Sequence, residues 1–189
     1  MSTLEVNSIQ PLSSGTTVTL GASGKTFNIP SGCTISNSGT ATGFGKLLQG
    51  VTNTYSGGQI TTTSSAMTDA ISLAITPSAT SSKVLVLLTF NYHFNANTYG
   101  VGGRILRGST TIMTDSVDNT DYYYHTYHND GNDMYGKANY HILDAPSTTS
   151  ATTYKYQFGS YRNGYESRFA QQGGQTASTA TLTLLELAG

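Results

Sequence analysis

A chain of 189 residues with a formal net charge of −1 and 10% charged residues has room for one ordinary domain and a small appendage. Soluble domains usually carry about 25% charge; here Ser, Thr, Gly, Asn and Gln supply the polarity, a bias toward strands and tight turns. No Lys/Arg cluster offers a footprint for nucleic acid, and no apolar run approaches the roughly 20 residues that span a bilayer.

Low charge with many turn residues also occurs in disordered chains, but those are poor in aromatics. This chain has 13 Tyr and 6 Phe and reads as folded. Met1 to Gln10 lacks a basic region followed by an apolar stretch, so no signal peptide is expected. The sequence also holds no Asn-x-Ser/Thr acceptor. The lone Cys33 cannot form an intrachain disulfide and reads as a small buried packing residue. An adhesive-looking surface without an export signal fits a part of a virus particle, made in the host cytoplasm and released with the virion.

Residues 1–45 carry Ser-Gly marks at Ser14-Gly15, Ser23-Gly24, Ser31-Gly32 and Ser38-Gly39. Between them stand apolar pairs in alternation: Val18 and Leu20, Phe27 and Ile29, Cys33 and Ile35. Alternation predicts short half-buried strands, with Gly providing the turns. Such a segment, like a fibre-shaft repeat, has too few apolar side chains to offset the entropy of ordering itself. Three chains wound about one axis would bury Val18, Leu20, Phe27, Ile29 and Ile35 in layers, which predicts a homotrimer. A flexible Ser/Gly/Thr linker is the alternative. Leu4, Val6 and Ile9 precede the marks and are expected to dock on other virion proteins.

Residues 40–45 form a junction, and residues 46–189 read as an all-β head. Strands are expected at Leu47–Tyr55, Ala70–Ile75, Lys83–Phe94, Gly103–Arg107 with Thr111–Met113, Ala138–Leu143, Thr153–Tyr161 and Ala180–Leu187. Arg107-Gly108-Ser109-Thr110 predicts a hairpin turn, and Pro77 ends a strand. Val84 to Leu88 is apolar on both faces and belongs in a central strand whose outer face meets a neighbouring subunit. Seven or eight strands predict a β-sandwich, jelly-roll-like.

The pattern Ser2-Thr-Leu-Glu-Val-Asn-Ser-Ile-Gln10 and the run Asn37-Ser-Gly-Thr-Ala-Thr-Gly-Phe-Gly45 resemble short fibre proteins of marine bacteriophages. So do Ala74-Ile-Thr-Pro-Ser-Ala-Thr-Ser-Ser-Lys-Val-Leu-Val86, Arg107-Gly-Ser-Thr110 and the ending Thr181-Leu-Thr-Leu-Leu-Glu-Leu-Ala-Gly189. The resemblance implies a trimeric, β-rich virion appendage on tail or head. It supplies no catalytic residues, and residues 115–140 fall outside it.

Within that stretch, Tyr122, Tyr123, Tyr124 and Tyr127 are followed by Asn129, Asp130, Asn132, Asp133 and Tyr135. Flat aromatic faces beside directional polar groups suit recognition of a host-surface glycan or protein; packing at a subunit contact is the other reading. His125 and His128, with His93 and His141 as further candidates, invite a metal reading, but His125 and His128 fall on opposite faces of a strand; no metal or other cofactor is expected, a ring of three symmetry-related histidines on a trimer axis being the alternative. An EF-hand frame around Gly131 would start at Thr126 and end at Lys137, and so fails. Glycoside hydrolysis needs two carboxylates across a cleft. Asp115, Asp118, Asp121, Asp130, Asp133, Asp144 and Glu166 sit in turn-like surroundings and read as solvated. The expectation is a non-enzymatic virion fibre. The alternatives are a capsid decoration protein without receptor role and a carbohydrate-binding module.

Overall fold

The computed structural model describes Thr26, Asn28, Ile29, residues 31–33, and residues 47–95, 100–117, 123–124, 126–127, 131–171 and 178–189. The chain divides into two units, Met1–Phe44 and Gly45–Gly189. In the first, Ser31 and Gly32 form a turn with Gly32 at φ 86°, a backbone that glycine adopts without strain. Ile29 is half-buried outside any strand, and Cys33 is exposed on the single chain, not buried as its apolar neighbours suggested. Leu4, Val6, Ile9, Val18, Leu20, Phe27 and Ile35 lie outside the described residues.

The second unit is all-β, with no helix among the described residues. Its strands are β1 (Leu47–Tyr55), β2 (Ile60–Thr62), β3 (Thr68–Ile75), β4 (Lys83–Phe94), β5 (Gly100–Arg107) and β6 (Thr110–Thr114). Then follow β7 (Ser116–Val117), β8 (Tyr123–Tyr124), β9 (Thr126–Tyr127), β10 (Met134–Asp144), β11 (Thr152–Ser160), β12 (Ser167–Phe169) and β13 (Ala180–Leu187). β1, β4 and β13 match their sequence-predicted limits. The hairpin turn falls between β5 and β6, with Gly108 at φ 57°.

β4 is hydrogen-bonded along both edges. β10 pairs with it from Val84 to Phe94 on one side; β13 (Lys83 to Thr89) and β12 (Tyr92 to Phe94) share the other. β1 continues the sheet beyond β13, and β2 beyond β12. The second sheet runs β3-β11-β5-β6, with β9 also on β5. The long strands therefore pair as β1 with β13, β3 with β11, β4 with β10 and β5 with β6, all antiparallel. This is one long hairpin, rolled so that β4 lies beside β13 and β5 beside β11. It is the jelly-roll arrangement, in which two sheets share one core.

Alternation in β4 sends Val84, Val86, Leu88, Phe90, Tyr92 and Phe94 inward, all buried. Opposite them Tyr154, Tyr156 and Phe158 of β11 are equally buried. Phe90 lies 4.9 Å from Tyr156 and 4.7 Å from Phe169, in tilted contacts that aromatic rings favour. The free edge of β3 is met by side chains of β1: Asn53 Nδ2 donates to the Ser72 carbonyl (2.9 Å), and Gln49 Nε2 to that of Thr76 (2.7 Å).

Gly103 on β5 makes room for a core ring. A Cβ there would overlap the Tyr156 hydroxyl and the Gln157 carbonyl, and backbone cannot swing aside. Gly103→Ala should destabilise the head by about 1–3 kcal/mol, read as a lower denaturant midpoint with an unchanged slope.

Candidate functional site

Two carboxylates fasten the two sheets together, and a third ties β13 to β1 and to the loop between β3 and β4. Asp144, at the end of β10, accepts two hydrogen bonds from Arg107 Nη1 on β5 (2.8 and 2.9 Å) and one from the Tyr154 hydroxyl on β11 (2.7 Å). Asp115, buried just after β6, accepts from the Gly103 amide (2.5 Å) and from the Tyr140 hydroxyl on β10 (2.8 Å). Burial, then the Asp115 charge, pushes the Tyr140 phenol well above its usual range, so it stays a donor. Glu186 of β13 is fully buried. Its Oε1 accepts from the Ser78 amide (2.7 Å) and hydroxyl (2.6 Å), and its Oε2 from Gln49 (2.5 Å). Burial alone would raise its pKa; the hydrogen bonds outweigh that and hold it at about 2.

Asp115 and Asp144 are therefore not the solvated turn residues that their sequence context suggested. Each is held by partners from other strands, Asp144 by Arg107 and Tyr154 and Asp115 by Gly103 and Tyr140. Asp118, Asp121 and Asp130 lie outside the described residues. Among the described residues no group of three His, Cys, Asp or Glu side chains could hold a metal ion.

The polar cluster with most surface character lies on the outer face of the first sheet, at the end of β4. His93 points outward between the inward Tyr92 and Phe94. Its register partners are Tyr135 on β10 and Arg168 on β12. Tyr135, still 39% exposed, covers the imidazole with ring centres 4.5 Å apart and leaves His93 2% exposed. Asp133, in the exposed turn before β10, brings Oδ2 to 3.4 Å from His93 Nε2. Arg168 forms an ion pair with Glu166 and donates to Gln171 Oε1 (2.9 Å). Burial first, then the Arg168 charge, lowers the His93 pKa, against the pull of Asp133 and Glu166.

Of the residues nominated for recognition, Asp133 and Tyr135 thus meet at one place, and Asn132 lies exposed in the adjoining turn. Tyr123 and Tyr124 form β8, which pairs with β7, and Tyr127 belongs to β9, which pairs with Gly100 of β5. Tyr122, Asn129, Asp130, His125 and His128 lie outside the described residues. Sequence reasoning missed Arg168 and Gln171 because three-residue β12 gives no periodic signal. A recess between β1 and β3, lined by Asn53, Tyr55, Asp69, Ala70, Ile71 and Ser72, is the rival location. Its polar groups are already engaged: Asn53 with Ser72, and Asp69 with Lys155 (3.1 Å) and Gln157 (2.5 Å).

No protein-family model matches the chain, and no curated protein matches it. Among solved structures it is similar to that of infectious bursal disease virus Gx strain: 14% identity, 74% of this chain against 34% of that chain, TM-score 0.36. It is similar also to the infectious bursal disease virus VP2 subviral particle (14%, 75% against 38%, TM-score 0.37). The T=1 particles derived from that virus give 14%, 75% against 37%, and 0.37. The chain spans a little over a third of the length of these proteins.

Because the folded state lowers the His93 pKa below 6.5, the unfolded chain binds this proton more readily. The His93 contribution is complete above pH 6.5 and is lost as pH falls below it. His93→Phe keeps the packing on Tyr135 and should remove this part of the acid loss, seen as a flatter stability curve just below pH 6.5 in urea titrations.

Proposed function

We propose that this chain is a structural fibre protein of a virus particle, a bacteriophage, and acts as a homotrimer without enzymatic activity. Residues 1–45 attach to the virion and form the shaft; residues 46–189 form the head. The observation that carries the reading is the joining of two parts. One is an N-terminal segment whose apolar pairs recur between Ser-Gly marks and cannot be buried by one chain. The other is a jelly roll with a complete core of its own. A fold alone does not name a function; a self-sufficient head on a segment that needs copies of itself supports a fibre.

The first test is mass in solution and on the particle. The full chain should run at three times its 20.0 kDa, and a stable single chain would overturn the proposal. Deleting residues 1–10, with Leu4, Val6 and Ile9, should leave the trimer assembled but missing from purified particles.

The second test concerns host attachment. Three weak copies of a site on one fibre gain avidity without new contacts, so the site need be neither deep nor strongly charged. Replacing Tyr124 and Tyr127 by Ala in the assembled fibre should lower adsorption to host cells while trimer mass and melting stay as in the parent. Unchanged adsorption by an intact trimer would assign these tyrosines to packing.

A further inference from the structure

We infer that the leucine-covered end of the first sheet is the contact by which one head binds a second copy of this chain. The inference rests on the trimeric reading above.

Antiparallel sheets with one face in water are apolar inside and polar outside. The second sheet obeys this: on its outer face Arg104 bonds Gln157 (2.8 Å), and Gln157 and Lys155 both bond Asp69. At one end the first sheet does not. There the outer face carries Leu143 of β10, Leu85 of β4, Leu185 and Leu187 of β13, and Leu47 of β1, with the exposed Leu48 at the bulge that follows Leu47. Register puts Leu143, Leu85 and Leu185 side by side across three strands, with Gly50 of β1 next in the row. Leu47 lies opposite Leu187. Leu143 is 59% exposed, Leu47 56% and Leu48 50%. The apolar character stops within the sheet: further along, Thr52 bonds Thr183 (3.0 Å) and Thr89 bonds Asn139 (2.8 Å). A continuous apolar patch at one end of an otherwise polar face marks an interaction surface.

The occupant follows from the chain path. β1 begins at Leu47, so the peptide link from the preceding chain reaches the head at a residue of this patch. Three chains joined through that segment bring three copies of Leu47 together, and the surface beside Leu47 is the first that neighbouring heads can share. The patch faces a partner with no acidic side chain of its own; Lys83 and Lys137 are the exposed charges of β4 and β10 on this face. An apolar surface of another head suits it better than a charged ligand. An apolar centre with a polar surround is the usual anatomy of such contacts.

The test uses the full chain with Cys33→Ser. Leu143→Cys, labelled with a benzophenone maleimide, is irradiated after assembly from mixed 15N and unlabelled chains; Thr153→Cys on the second sheet serves as control. Links between isotopically different chains from position 143, and few from 153, are expected. In parallel, Leu48→Glu with Leu143→Glu should raise the dissociation midpoint of the trimer about tenfold or more, with unchanged circular dichroism because both side chains are exposed. If the parent is a trimer while the double variant dissociates as the parent does and position 143 forms no interchain link, the inference fails and the trimer stands. Links from 143 only to residues 1–46 of the same chain would assign the patch to that segment and also overturn the inference. A parent that runs as a single chain would sink both readings.

Discussion

A strand that is apolar on both faces must be covered on both, and β4 sets this condition for the rest of the head. Its inner residues, Val84 through Phe94, build the core against β11. Its two hydrogen-bonded edges gather β10, β12 and β13 around it, so that the first and last long strands of the head meet on one sheet. The rolled hairpin follows, because β10 and β13 are far apart in sequence and reach the same strand from opposite sides. Its outer residues Leu85 and Leu87 are only half covered by the chain itself.

Charge is scarce in this chain, and the structure shows where some of it is used. Three of the ten acidic residues, Asp115, Asp144 and Glu186, are turned inward and hydrogen-bonded by groups from another strand or loop. A buried carboxylate without donors would be destabilising. Here Arg107, Tyr140, Tyr154, Ser78 and Gln49 provide the donors, and the ionised form of Glu186 becomes the favoured one. The outer surfaces then depend on hydroxyls and amides, as in the Thr52–Thr183 and Thr89–Asn139 pairs.

The long strands were legible because period-two alternation runs through them and turn residues bound them. Val84–Leu88 marked its strand as central because a stretch buried on both faces loses the polar half of the alternation. β2 and β12, at three residues each, and the two-residue β7, β8 and β9 are too short to show a period; their pairing is decided by neighbours they meet only after folding. The same limit explains the misreading of Asp115 and Asp144. Sequence shows an aspartate near turn residues. It does not show that the opposite sheet presents a tyrosine or arginine to it. His93 was visible as a histidine in an apolar strand, but its cover, Tyr135, is 42 residues away and meets it only through the β4–β10 register.

The outer face of the first sheet is graded from end to end, and the grading separates two kinds of surface. Leucines occupy the end where the chain enters at Leu47; His93, Tyr135, Asp133 and Arg168 occupy the other end of β4. His93 stands eight steps along the strand from Leu85, roughly 27 Å at the usual rise. The two ends also differ in chemistry. The leucine end offers no directional groups and rewards only the exclusion of water. The far end offers a tyrosine face, an aspartate and an arginine already held in place by Glu166 and Gln171, which favours contact with polar partners. A single strand register, fixed by the core beneath it, therefore places an apolar patch and a polar cluster at opposite ends of one surface.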